Sequence, residues 1–217
     1  MATKGRVGGV FGTHLRASLR ESLKVGSEDS THPTKKLGRD FYERPAIKLA
    51  PDLLGKILVH RRGGRKLRAR IVETEAYVGV HDLACHASKG RTRRTEVMFG
   101  RAGHAYVYLI YGMYPMFNIV ASALDDAQAV LIRAAEPLDD WDADLSGPGK
   151  LTRAFGITCA QSGLDLTGRE LFLLDDGAAR PTIAVSKRIG VDYAQKWTHA
   201  LLRFIDKNSR AVSKVRA

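Results

Sequence analysis

The sequence predicts an α+β fold: a single compact domain around a mostly antiparallel, curved β-sheet, with short helices and a protruding β-hairpin. Two observations carry this. Strand-like runs outnumber helical ones and follow one another as hairpins instead of alternating with helices. Four of the seven tyrosines also fall together in YVYLIYGMYPMFN, Tyr106 to Asn118. That run reads as two strands around a tight Gly112-Met113 turn, with aromatics on the strands and near the tip.

The elements follow in order. Residues 1–36 are rich in Gly, Ser, Thr and Lys/Arg, with no acid before Glu21, and read as a basic, flexible extension. Within them Leu15, Leu19 and Leu23 recur at helical spacing between Thr13 and Gly26; a targeting leader is the alternative. Residues 37–217 form the domain. Pro45 to Gly55 reads as a short helix with Leu49, Leu53 and Leu54 on one side. ILVHR, a Gly63-Gly64 turn and LRARIVETEAYV read as a hairpin. Residues 81–103 are irregular and basic, and the tyrosine hairpin follows. AVLIRAAEP (129–137) is a strand, GPGKLTRAFG a short helix ended by Gly156, and ELFLLDDG and RIGV are strands. The C-terminal part holds Trp197 and RFID.

Composition narrows the partners. The chain has 217 residues, a formal net charge of +12 and a pI near 9.9. Such an excess favours a polyanion, either nucleic acid or an anionic membrane surface. No apolar run approaches the roughly 20 residues that span a bilayer, which excludes a transmembrane helix. Cys85 and Cys159 are far apart with no CxxC pair, so neither a structural zinc site nor a disulfide framework is expected, and a reducing compartment is the default. His86 beside Cys85 lacks a second ligand pair at metal spacing. Arg61, Arg62, Arg65, Lys66, Arg68 and Arg70 form one basic stretch; Lys89, Arg91, Arg93, Arg94 and Arg101 form another. Acids collect at Asp125, Asp126, Glu136, Asp139, Asp140, Asp142 and Asp144. The two basic segments read as one cationic face around the hairpin, with the acids elsewhere; solvated loops are the bland alternative.

Chemistry has two candidate locations. In ARIVETEAYVG (69–79), strict alternation puts Ile71, Glu73, Glu75 and Tyr77 on one face and Val72, Thr74, Ala76 and Val78 on the core face. Paired strand carboxylates are usually solvated. Glu75, with Tyr77 beside it and His86 soon after, is the one suited to activate a water. In the hairpin, Tyr106, Tyr108 and Ile110 share a face, as do Met116, Asn118 and Val120. Symmetry about Met113 sets Tyr108 opposite Asn118, an aromatic platform beside an amide that both donates and accepts. Tyr106 and Tyr114 read as packing residues, and plain sheet packing is the alternative for Tyr108 as well. Tyr111, next to the turn, reads as a wedge into a base stack.

The strings RIVETEAYVG, DLACHAS, RTEVMFG, GHAYVYLIYGMYPMFNIV, VLIRAAEP, GPGKL, RIGVDYA and LRF, in that order from about Leu37 to Phe204, closely resemble the alkyladenine (3-methyladenine) DNA glycosylase family. The resemblance implies a base-excision repair enzyme that flips damaged purines (alkylated, deaminated or etheno) from duplex DNA and hydrolyses the N-glycosidic bond. It implies a hairpin entering the minor groove, a monomer and no cofactor or metal. It places the catalytic glutamate on Glu75 and the base pocket on Tyr77, His86, Tyr108 and Asn118. The intercalating tyrosine falls on Tyr111 and the supporting arginine on Arg133. The flipped base is then expected between Tyr77 with His86 on one side and Tyr108 on the other, with Asn118 crowding guanine's 2-amino group. Arg91, Arg94 and the other cations of 61–70 and 89–101 are expected to hold phosphates, and the Lys150 helix start is either a phosphate site or a mere cap. No lysine nucleophile falls in this pocket, so no lyase activity is expected. The implied location is cytoplasm or nucleoid in a bacterium, nucleus or organelle in a eukaryote. GRAG (100–103) lacks prolines expected before the hairpin, which would loosen its base. Ala200-Leu201 also stands where the family usually has a proline. A non-catalytic damage-binding protein shares the basic face and wedge but has no use for Glu75. A glycosidase acting on free nucleosides leaves the charge and Tyr111 unexplained.

Overall fold

One long strand organises the chain. In a computed structural model that describes residues 33–213, Arg65–Tyr77 (β3) runs 13 residues through a nine-stranded sheet in which every pairing is antiparallel. The other strands are Lys35–Lys36 (β1), Ile57–Arg62 (β2), Ala105–Ile110 (β4), Tyr114–Ala121 (β5), Gln128–Pro137 (β6), Leu171–Asp175 (β7), Ile183–Ser186 (β8) and Arg203–Asp206 (β9), and a short helix, Arg39–Tyr42 (α1), lies between β1 and β2. The order is β1-β7-β2-β3-β6-β5-β4, and β9 pairs with β3 and β8. One edge of β3 is shared: its first half pairs with β2 and Glu73–Glu75 pair with β9. Its other edge pairs with β6. The Leu15-Leu19-Leu23 pattern lies outside the described residues.

The sheet is covered differently on its two faces. Ala105 and Val107 of β4, Phe117 and Ile119 of β5, and Val130 and Ile132 of β6 join the main core. Helix α2, Ala46–Asp52, adds Leu49 and, just past its end, Leu53 and Leu54, all buried as their spacing predicts. Helix α3, Pro148–Phe155, adds Leu151 and Phe155 and stops at Gly156, whose φ of 67° is the left-handed cap glycine favours. The alternate residues Tyr106, Tyr108, Met116, Asn118, Ala129 and Leu131 point to the other face and line a cavity.

Three local expectations are corrected. Alternation along β3 is not strict, because Val72 and Arg133 both drop out of the β3–β6 register. This double bulge reverses parity, so Ala69 and Ile71 before it and Ala76 after it all reach the main core. Ile71 therefore does not share the face of Glu73 and Glu75. RIGV is a loop, since Gly190 has a φ of 74°, and the strand lies earlier at Ile183–Ser186. The hairpin is centred on Gly112: Tyr106 faces Asn118 and Tyr108 faces Met116. Both central residues of its turn, Tyr111 and Gly112, have positive φ (52° and 68°), as primed hairpin turns require.

The hairpin base is firmly tied without prolines. Gly103 N–H donates to the Val120 carbonyl at 2.8 Å, Val120 N–H to the His104 carbonyl at 2.9 Å, and Arg39 to the Ala102 carbonyl at 2.5 Å. Gly103 has a φ of 75°, and a Cβ there would lie 2.6 Å from the Tyr42 ring. Gly103→Ala should therefore cost about 2 kcal/mol or more, through strain and overpacking together. Urea unfolding checks this, and an unchanged midpoint would mean that Tyr42 yields freely.

Candidate active site

The cavity has a volume of about 620 Å³ and lies between the aromatic face of β4–β6, the end of β3 and the 189–193 loop. Most of its wall is apolar or aromatic. Tyr77, His86, Tyr106, Tyr108 and Tyr193 supply rings, and Asn118, Arg94 and Arg133 supply polar groups.

Behind this wall sits a buried charge cluster. Glu73 and Glu75 are both fully buried, not solvated. The Glu75 Oε2 accepts from the Tyr77 hydroxyl at 2.9 Å. Its Oε1 accepts from Ile189 N–H at 2.8 Å and lies 3.2 Å from Arg133 Nη1. Arg133 Nε also donates to Glu73 Oε1 at 2.8 Å, as does Arg203 Nε at 2.7 Å. Two carboxylates thus face two guanidiniums, and the interior charge balances. Burial of the Tyr77 phenol, with Glu75 beside it, pushes its pKa well up, so it remains a donor to Glu75. Glu75 itself does not line the cavity; Tyr77, Arg133 and Ile189, which hold it, do.

Tyr77 is braced from outside the cavity by Arg188, whose guanidinium lies 4.7 Å from the ring centroid. Arg188 forms a bidentate pair with Asp82 at 2.5 and 2.8 Å, both residues essentially buried, and also donates to the Ala76 carbonyl. Sequence reasoning missed this pair. Its members are 106 residues apart, and RIGV read as a strand hid the loop that carries one of them.

The opposite wall differs from expectation. His86 packs edge-on against Tyr108 with ring centroids 4.4 Å apart, so it belongs to the Tyr108 side and not to the Tyr77 side. Tyr106, read as a packing residue, is buried yet lines the cavity and places its hydroxyl 2.9 Å from His86 Nδ1. Arg94 Nη2 lies 3.4 Å from His86 Nε2. Arginine can only donate, so Nε2 accepts and Nδ1 carries the proton. Asn118 donates to the Tyr106 and Met116 carbonyls, both at 3.1 Å. With both N–H groups engaged, Oδ1 is the polar atom Asn118 has left. Cys85 is a buried thiol pushed up to about 11 by burial.

The basic residues are spread unevenly. Arg94 reaches the cavity rim, with its guanidinium 5.0 Å from the Tyr108 centroid. Arg91 pairs with Glu96 and Asp125, Lys150 with Asp144, Arg68 with Asp139, and Arg70 with Asp176. The acids are therefore interleaved with the cations, not set apart from them. Arg65 and Lys66 lie at the far end of β3 from Glu75, roughly 30 Å away at the usual strand rise. At the start of α3, Gly147 makes no side-chain cap. The hairpin tip remains open: Tyr111 is 83% exposed, and Leu109, Met113 and Tyr114 are exposed beside it.

An aromatic cavity backed by a buried carboxylate, beside an exposed hairpin tip on a basic chain, has a shape and chemistry that suit a planar ring held near an acid. Comparison with known proteins makes this specific. Residues 40–210 match the methylpurine-DNA glycosylase (MPG) family. Relatives named "Putative 3-methyladenine DNA glycosylase" include one from Legionella pneumophila (strain Lens), 49% identical over 83% of this chain and 99% of its own length. Another, from Myxococcus xanthus (strain DK1622), is 50% identical over 82% of this chain and 93% of its own. A third, from Methanocella arvoryzae, is 48% identical over 82% and 96%. The chain belongs to the methylpurine-DNA glycosylase family: it is a DNA glycosylase, a hydrolase of N-glycosyl bonds whose substrate is DNA.

Burial, and secondarily Arg94, push the His86 pKa from the ordinary 6.5 down to about 4. The unfolded chain takes up this proton near 6.5 and the folded one only near 4, so stability should fall as pH drops through that window. NMR titration of the His86 ring should give a midpoint near 4; one near 6.5 would mean the ring is not desolvated.

Proposed function

We propose that the enzyme flips a damaged purine out of duplex DNA into this cavity and hydrolyses its N-glycosidic bond with a water activated by Glu75. The observation that carries this reading is the Glu75 carboxylate, gripped by Arg133, Tyr77 and Ile189 immediately behind the aromatic cavity wall. A cavity of about 620 Å³ is within the roughly 300–1,000 Å³ range of small-ligand pockets.

A base inside a duplex is out of reach, so it must leave the stack. Tyr111 suits the role of filling the gap from the minor groove. It is a large, exposed aromatic held at a positive φ that costs of order 1 kcal/mol, a strain with no packing gain to offset it. The flipped base then lies between Tyr77, braced by Arg188, and the wall of Tyr108 with His86. Asn118 beneath crowds a 2-amino group and so discriminates against guanine. Arg94 at the rim serves a phosphate. Arg91 and Lys150 can join it, because exposed ion pairs are worth only about 0–1 kcal/mol and yield to a phosphate.

Base departure leaves positive charge on the sugar, as in glycoside hydrolysis. The C1′–N bond breaks with its electron pair going to the purine. Water oxygen bonds to C1′, and its proton passes to Glu75 Oε2 as the Tyr77 hydroxyl gives up that oxygen. A cationic alkylated purine leaves as a neutral base, so no strong general acid is required; a neutral lesion such as hypoxanthine leaves as its anion and takes a proton from water. Hydrolysis without strand cleavage fits a cavity whose lining includes no lysine among the described residues. The enzyme acts as a monomer.

Duplexes holding one hypoxanthine or 1,N6-ethenoadenine, treated with alkali after incubation, should report abasic sites. Glu75→Gln should lower their formation at least about 100-fold with duplex binding retained. Tight binding without abasic sites, on these or on methylated purines, would contradict the proposal and favour a damage-binding protein.

A further inference from the structure

We propose that Ser213 is a positioning residue for the reaction, acting on Glu75 through Glu73 and Arg133. The inference rests on the reading of Glu75 as the water-activating group. Ser213, in the segment after β9, is buried. All three polar groups of this residue are engaged in the charge cluster. Its N–H donates to Glu73 Oε2 at 2.6 Å and its hydroxyl to Glu73 Oε1 at 2.7 Å. The hydroxyl also accepts from Arg133 Nη2 at 3.2 Å, and the carbonyl accepts from Arg203 Nη2 at 3.3 Å.

These contacts fix the guanidinium that faces Glu75. Arg133 presents three nitrogens to three partners: Nε to Glu73, Nη2 to Ser213 and Nη1 to Glu75. The planar fork has no freedom to rotate while the first two hold. Removing the Ser213 hydroxyl leaves Nη2 unpaired in a buried site and frees the plane to turn, which moves Nη1 relative to Glu75. Glu73 feels the change as well. Burial opposes its ionisation, yet Arg133, the two Ser213 donors and Arg203 together hold its pKa below the usual carboxylate value. The family match ends at residue 210, so Ser213 lies beyond the segment that carries the shared pattern.

The test uses the full chain under single-turnover conditions with a hypoxanthine duplex, alongside Glu75→Gln. Ser213→Ala should slow excision about tenfold, the scale of one hydrogen bond to a charged group, while the Kd for a duplex carrying a stable abasic analogue stays within about twofold. The acid limb of its pH–rate profile should move to higher pH, because Glu73 loses a donor that favours its ionised form. Ser213→Thr, which keeps the hydroxyl, should restore rate and profile. A wild-type rate and pH profile in Ser213→Ala would overturn the proposal. So would a loss of rate that tracks lost binding and melting temperature and is not restored by threonine. Activity surviving in Glu75→Gln would instead overturn the reading of Glu75, and this role for Ser213 with it.

Discussion

The site depends on one guanidinium. Arg133 lies in the double bulge between β3 and β6, lines the cavity, and touches both buried carboxylates, Glu73 through Nε and Glu75 through Nη1. Burying a carboxylate without a partner costs several kcal/mol, and breaking a buried pair about 3–5 kcal/mol. Glu75 can therefore sit fully buried behind the cavity wall only because Arg133 is there. Arg133 in turn is neutralised on its other side by Glu73, which also holds Arg203. The balance is local: two acids, two guanidiniums, and the Ser213 donors that complete the Glu73 oxygens.

The bulge is what places these charged groups on the cavity side of the sheet. Below it, β3 gives odd-numbered residues to the main core; above it, even-numbered ones. Without the switch, Glu73 and Glu75 would point into the apolar core beside Ile71. The partner strand follows suit: Ala129, Leu131 and Arg133 of β6 line the cavity while Val130 and Ile132 pack in the core. One irregularity in a ladder thus separates an acid-bearing face from an apolar one.

Much of this was legible in the sequence where local rules apply. The tyrosine hairpin, the Gly63-Gly64 hairpin, Leu49-Leu53-Leu54 and the Gly156 helix stop follow from spacing and turn chemistry. Resemblance brought Glu75, Tyr77, His86, Tyr108, Asn118 and Arg133 to one site, and they are found together. What failed was set by tertiary contacts. Strict alternation could not foresee a two-sided bulge. A left-handed Tyr111 moved the hairpin centre from Met113 to Gly112. Sequence blocks of like charge suggested a cationic face, but Arg68 and Arg91 meet acids 71 and 34 residues away, and Lys150 meets Asp144 in the loop before its helix. Asp82 with Arg188, and Ser213 with Glu73, are 106 and 140 residues apart and carry no local signal.

The proposed role of Arg133 depends on its geometry more than on its charge, and Arg133→Lys separates the two. A lysine keeps the positive charge but cannot reach Glu73 and Glu75 at once. Single-turnover excision from a hypoxanthine duplex should fall about 10- to 100-fold, the scale of losing one charge-assisted hydrogen bond from the carboxylate, with duplex affinity unchanged. Excision at the wild-type rate in Arg133→Lys would contradict the proposal that this guanidinium positions Glu75 for the reaction.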